Sequence, residues 1–270
     1  MSRLTGCLQT LRSSGRKALA TFITAGDPDS AATVPALHAL VAGGADILEL
    51  GIPFSDPEAE GPTIQASSER GLASGMTLRG CLKLVAGFRE KDAETPVILM
   101  GYLNSVMAMG FAAFAGAAAQ AGVDGLILVN LPPEEAEELK GELAPHGIDL
   151  IFLVAPTTTT ERARMIASHA SGFIYYVSLK GTTGAGHLIA ESVAAKVSEL
   201  RAASPLPVLV GFGIKDGGTA SAVARHADGV VVGSALVNTM ACQQNSTLRL
   251  QELTAQVASI RTALDAGSPG

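Results

Sequence analysis

Cysteine is scarce in this chain. Only Cys7, Cys81 and Cys242 occur among 270 residues. They are far apart, odd in number and without zinc-type spacing. That excludes a disulfide framework and a thiolate metal centre, and it leads us to expect reduced thiols in a cytoplasmic protein. The five histidines (His38, His146, His169, His187 and His226) form no ligand pattern, so no metal is expected. All but His187 fall in helical or turn stretches and read as surface or capping residues; His187 stays open. Charged residues make up only 16%, too few for a disordered chain. The net charge is −6 and no basic cluster stands out, which excludes a nucleic-acid groove or an anionic membrane face. No apolar run reaches the ~18 residues of a membrane span. The start, Met1-Ser2-Arg3-Leu4-Thr5, lacks the apolar core expected of a signal peptide. P-loop, dinucleotide and Ser-His-Asp patterns are also absent. Phosphate on a small molecule stays possible, because backbone amides bind it without Lys or Arg.

What the chain has in quantity is apolar residues, 47%, and 30 glycines, enough for a large core with tight turns. Eight short β-like runs lie at 19–24, 46–50, 96–100, 125–129, 149–153, 173–177, 207–210 and 229–232. Helical patterns alternate with them at 30–42, 78–90, 111–121, 133–143, 160–169, 190–202 and 217–226, and one more at 247–265 closes the chain. Repeated strand-then-helix units imply a parallel sheet covered on both faces. A (β/α)8 barrel needs roughly 250 residues. The expectation is therefore α/β, a single (β/α)8 TIM barrel spanning 1–270 as one domain. Leu4, Leu8 and Leu11 recur at helical spacing, which predicts an extra N-terminal helix on the bottom face. Several strands follow a small-residue turn and an aspartate, as in Ala45-Asp46, Val123-Asp124 and Ala227-Asp228, a weak internal repeat.

In a barrel, chemistry gathers at the C-terminal ends of the strands. The run Leu48-Glu49-Leu50-Gly51-Ile52-Pro53 ends a strand and carries one carboxylate. Period-2 alternation puts Ile47 and Glu49 on one face and Leu48 and Leu50 on the other. An inward Glu49 among aliphatic groups has a raised pKa and serves as a general acid and base near neutrality. The plain alternative is a buried structural acid, but the strand offers it no partner. Glu60 follows in the next loop, where spacing alone reads as a solvated loop acid. Gly211-Phe212-Gly213 and Gly233-Ser234 end the seventh and eighth strands, the usual phosphate-holding position in barrels. Ser178-Leu179-Lys180-Gly181-Thr182-Thr183-Gly184-Ala185-Gly186 reads as a lid or as a plain connection. Phe22, Met100, Ile127, Val129, Leu153 and Tyr175 lie at strand ends, either lining a pocket for a flat aromatic ligand or forming the upper core layer.

Taken together, these motifs resemble the tryptophan synthase alpha subunit family along nearly the whole length. The matching pieces include Phe22-Ile23-Thr24-Ala25-Gly26-Asp27-Pro28, Glu49 through Pro57, Gly61-Pro62-Thr63-Ile64-Gln65, Leu131-Pro132-Pro133, Gly181-Thr182-Thr183-Gly184, Gly211-Phe212-Gly213-Ile214 and Gly233-Ser234-Ala235. The resemblance implies cleavage of indole-3-glycerol phosphate to indole and glyceraldehyde 3-phosphate in tryptophan biosynthesis. It makes Glu49 the acid and base, and the carboxylate at position 60 the acceptor of the ring N–H. It makes Gly184, Gly213 and Ser234 backbone phosphate ligands, Phe22 and Tyr175 indole-pocket residues, and Thr183 the lid hydroxyl that meets residue 60. It implies no cofactor in this chain and a beta subunit partner that carries pyridoxal phosphate, as an alpha2beta2 heterotetramer. Loops 53–62 and 178–189 are expected to close together over the substrate. Four departures stand out: Glu60 where the family has aspartate, Asn130 for aspartate, Glu58 for an apolar residue, and Leu103-Asn104-Ser105 for aromatic-Asn-Pro. They leave two other readings open. One is a catalytically impaired subunit that mainly activates a beta subunit; the other is a stand-alone lyase.

Overall fold

The computed structural model describes residues 2–177, 186–211 and 213–267. Eight parallel strands close into one barrel in sequence order: β1 (Ala18–Thr24), β2 (Ile47–Gly51), β3 (Val97–Gly101), β4 (Gly125–Leu128), β5 (Asp149–Val154), β6 (Ile174–Val177), β7 (Val208–Gly211) and β8 (Gly229–Val232). Twelve α-helices occur among the described residues. They are α1 (Arg3–Ser13), α2 (Ser30–Ala42), α3 (Pro62–Ala73), α4 (Leu78–Arg89), α5 (Leu103–Met109), α6 (Phe111–Ala121), α7 (Glu137–Leu143), α8 (Thr160–His169), α9 (Gly186–Ala203), α10 (Gly217–Ala224), α11 (Ser234–Cys242) and α12 (Ser246–Ala266). Asp29, Thr77, Thr159 and Asn245 cap α2, α4, α8 and α12 by accepting amides of the first turn, so these helices start where a short polar side chain precedes an apolar pattern. The helix expected over 133–143 is interrupted. Pro132 and Pro133 impose a short 3-10 turn, and α7 begins only at Glu137. Three helices had no counterpart in the sequence reading: α3, α5 and α11.

Two cores result. One fills the space between sheet and helices and takes the outward residues, such as Leu48 and Leu50. The other fills the barrel and takes Ile47, Ile98, Ile127, Ile151, Phe173, Tyr175, Leu209 and Val231. Leu4, Leu8 and Leu11 of α1 belong to this inner core. Ser2 donates to Asp149 at the start of β5 (2.7 Å), and Arg3 pairs with Asp124 just before β4 (2.8 Å). The extra helix therefore stoppers the N-terminal end of the barrel, as its leucine spacing predicts. Among the histidines, His38 departs from a simple surface role: its ring packs on Phe88 at 4.7 Å between α2 and α4.

The aspartate repeat has a physical cause. Asp46, Asp124 and Asp228 each precede a strand and grip the strand before it with both main chain and side chain. The Asp46 amide donates to Leu19 O while its carboxylate accepts Leu19 N, both at 2.9 Å. Asp124 treats Val97 in the same way (2.8 and 2.9 Å), and Asp228 does so to Val208 (2.9 and 2.8 Å). An arginine neutralises each carboxylate: Arg261, Arg89 and Arg201, at 3.0, 2.6 and 2.9 Å. Charge-assisted bonds of this kind are the strong ones. They lock strand register at the closed end and leave the opposite rim to carry chemistry.

Candidate active site

β1 and β2 pair so that Phe22 stands opposite Glu49. Glu49 points inward and is fully buried, and neither carboxylate oxygen has a hydrogen-bond partner among the described residues. Burial alone pushes its pKa up to about 8 from an ordinary 4.5. The carboxyl is thus protonated at neutral pH and still close enough to neutrality to ionise. Tyr175 on β6 is its buried neighbour. The phenol's ionisation is driven well up, first by burial and then by the Glu49 charge, so it stays neutral. Two strand-end glycines make room for the aromatic rings. A Cβ on Gly51 would lie 2.6 Å from the Phe22 ring, and one on Gly211 would run into the ring of Tyr175.

Above this layer opens a cavity of about 840 Å³. Of the residues expected from sequence, Phe22, Glu60, Met100, Val129, Leu153, Tyr175, Gly213, Gly233 and Ser234 line it. Ile127 does not. It pairs with Met100 on β3 and Ile151 on β5, is fully buried, and belongs to the packed layer beneath the cavity. Thr183, Gly184, Phe212 and the stretch 178–185 lie outside the described residues. Glu49 is not a lining residue either; it is fully buried beside its register partner Phe22, and its charge is felt by Tyr175. Ile64, Asn130, Thr158, Arg162, Lys215 and Asn238 are among the other lining residues. They come from loops and helices, where strand periodicity carries no information.

At one end of the cavity, Gly213 adopts a left-handed backbone (φ +47), and a Cβ there would meet nothing within 4 Å. Gly233 precedes α11, whose first turn has no side-chain cap, and Ser234 is its first residue. Such a terminus presents unpaired amides and the positive end of a helix dipole to an anion. Among the described residues no group of three or more His, Cys, Asp and Glu side chains could hold a metal. No described helix is long and apolar enough to cross a membrane.

Glu60 is not a solvated loop acid. It is half-buried in the loop between β2 and α3. Tyr102, just past β3, donates its hydroxyl proton to Glu60 Oε2 and accepts the Ala59 amide at 3.0 Å. Phe54 stacks on the Tyr102 ring, with centroids 4.7 Å apart and planes inclined by 16°. Gln65 Nε2 donates to Glu60 O at 2.8 Å, tying the loop to the first turn of α3. Burial raises the Glu60 pKa, and the Tyr102 hydrogen bond pulls against it. Sequence reading missed Tyr102, because the contact spans 42 positions and depends on how the loop closes. Beside the rim, Asn130 accepts the Leu103 amide (2.8 Å) and donates to Asn104 (3.2 Å), while Met107 is 60% exposed.

A parallel barrel with an apolar cavity at the strand ends, uncapped amides at its rim and a buried acid without a partner among the described residues has the build of a (β/α)8 enzyme. Comparison with known proteins narrows the class. The profile of the tryptophan synthase alpha chain matches residues 8–265. The alpha chain of Chromobacterium violaceum is 54% identical over 264 residues, covering 98% of this chain and all of that one. That of Laribacter hongkongensis is 55% identical over 267 residues, with the same coverage. Among solved structures, the alpha subunit from Legionella pneumophila superposes with a TM-score of 0.91 at 45% identity, covering 98% of this chain and 99% of that one. A tryptophan synthase from M. tuberculosis gives a TM-score of 0.87 at 35% identity, covering 97% of this chain and 98% of that chain. The chain belongs to the tryptophan synthase alpha chain family. It is the lyase that cleaves indole-3-glycerol phosphate in tryptophan biosynthesis, and the impaired-subunit and stand-alone readings are not favoured.

Proposed function

We propose that Glu49 carries the proton transfers of this cleavage and that Glu60 accepts the ring N–H of the substrate. The protonated Glu49 carboxyl gives its proton to carbon 3 of the indole ring, which becomes an indolenine with positive charge at nitrogen. The Glu60 carboxylate stabilises that charge through the N–H. Ionised Glu49 then takes the proton of the side-chain hydroxyl. The carbon–carbon bond breaks, its electron pair returns to the ring, and the alcohol carbon becomes the aldehyde of glyceraldehyde 3-phosphate. One proton is given and one regained, so Glu49 ends as it began.

One observation carries this reading: a fully buried acid, without a partner on either oxygen among the described residues, at the C-terminal end of β2. Among the described residues no hydrogen bond fixes the Glu49 carboxyl. The apolar rings of Phe22 and Tyr175 suit the indole. The amides of Gly213, Gly233 and Ser234 suit the phosphate; by resemblance Gly184 joins them and the Thr183 hydroxyl meets residue 60, while Phe212 is a further candidate for substrate contact. In this reading the chain needs no cofactor of its own, works in the cytoplasm as a single domain, and docks on a beta subunit in an alpha2beta2 assembly whose pyridoxal phosphate lies in the partner.

Release of glyceraldehyde 3-phosphate from indole-3-glycerol phosphate tests the reading, with and without a beta subunit. Glu49→Gln should reduce turnover by at least about 100-fold in both conditions. A variant that turns over at the parent rate removes Glu49 from the mechanism.

A further inference from the structure

Tyr102 is 6% exposed, and its ring is fixed on one face by Phe54. Its hydroxyl has two partners, and their roles follow from chemistry. A backbone N–H can only donate, so the phenol oxygen accepts from Ala59 at 3.0 Å. Its single proton is then directed at Glu60 Oε2. The phenol uses one of roughly four lone-pair sites on the carboxylate, so the others remain available for a ring N–H. The loop that bears Glu60 is therefore not held by its own sequence alone. It is wrapped around a side chain anchored at the end of β3.

We propose that Tyr102 is a positioning residue: its hydroxyl holds the Glu60 carboxylate at the place where the indole N–H arrives. This rests on the reading of Glu60 as the acceptor of that N–H. The hydroxyl also opposes the effect of burial, which favours the protonated acid, and so keeps Glu60 an acceptor. Among the described residues, the other ionisable groups of this loop and cavity are Asp56 and Glu58 in the same loop, Glu49 on β2, Tyr175 on β6, and Arg162 and Lys215 on the rim. Arg162 is already engaged by Glu134. Tyr102 is thus the group whose removal should change the state of Glu60 most directly.

The test is a set of four variants (Tyr102→Phe, Glu60→Asp, the two combined, and Glu60→Gln), with cleavage kinetics followed over pH. Phenylalanine keeps the stack on Phe54, and melting followed by circular dichroism checks that each variant is folded. Losing a hydrogen bond to a charged group should lower kcat in Tyr102→Phe about tenfold, with KM changed by less than about threefold. The acid limb of the kcat profile should move to higher pH, because the bond removed had favoured the ionised carboxylate. Aspartate is shorter by ~1.5 Å of reach. In the Glu60→Asp background, the tyrosine change should therefore reduce kcat by less than about threefold. Equal losses in both backgrounds with an unmoved acid limb would reduce Tyr102 to a loop-packing role through Ala59 and overturn the proposal. So would an unchanged Tyr102→Phe enzyme alongside an inactive Glu60→Gln, and in that case the acceptor role of Glu60 would survive. A fully active Glu60→Gln would instead overturn the acceptor role, and the proposal with it.

Discussion

Glu49→Gln should change the stability of the fold in opposite directions at the two ends of an accessible pH range. In the unfolded chain the carboxyl titrates at its ordinary 4.5, whereas burial raises it to about 8 in the folded protein. The sign follows from linkage: the folded state holds the proton more tightly, so the stability associated with this group is full below pH 4.5 and is lost as pH rises through about 8. At about 1.4 kcal/mol for each tenfold difference in proton affinity, the loss amounts to about 4 kcal/mol by pH 8. Glutamine cannot ionise and escapes that loss. Among the described residues neither side chain finds a partner, but the amide brings two N–H donors where the protonated acid brings one O–H, a pH-independent extra cost of about 1–3 kcal/mol. The variant should therefore be less stable than its parent at pH 5 and more stable at pH 8. Urea unfolding followed by circular dichroism at pH 5, 6, 7 and 8 measures the difference, and the contributions of other titrating groups cancel in it. A difference that stays constant to within about 0.5 kcal/mol over this range would refute the claim that Glu49 is buried without a partner.

Two further predictions concern the rim and the base of the barrel. Gly211→Ala puts a Cβ about 2.7 Å from Cζ of Tyr175 and closer still to its Cε2 and hydroxyl oxygen, so the ring must move. Cleavage should fall by about tenfold or more, read as kcat/KM; a parent-like value would show that the Tyr175 position is immaterial. Asp124→Ala leaves Arg89, Arg3 and the Val97 amide without their shared acceptor and should cost about 3–5 kcal/mol in urea unfolding, while kcat of the folded fraction stays within about twofold. A large fall in kcat at unchanged stability would contradict the separation of the two barrel ends.

What could be read from sequence divides along physical lines. Strands announce themselves through short apolar runs, and the eight expected runs coincide with β1 to β8 to within a residue or two. Alternation also assigned Glu49 to the inner face correctly. It does not give height along the barrel axis, which is why Ile127, facing the same way as Met100, was expected at the pocket and lies under it. α3 escaped notice because its sequence is largely polar, with Ser67 and Ser68 among its few buried residues. It is held by bonds to distant partners, Thr24 to Ser67 at 2.6 Å and Arg70 to Asp27 at 2.6 Å. Tyr102 escaped for the same kind of reason, since a single contact across the rim leaves no periodic trace. The resemblance supplied roles for Gly184 and Thr183 that residue patterns alone do not carry.

The grip of Asp46 on Leu19 sets the altitude of Glu49 from the opposite end of the tube. Three positions separate the two carboxylates along β2, and the pairing of the aspartate with β1 dictates which way each later side chain turns. Inserting a single residue between them would rotate Glu49 into the helical layer without touching one atom of the rim. The loops above can therefore be lengthened, shortened or exchanged while Glu49 keeps its address, because that address is written at the floor.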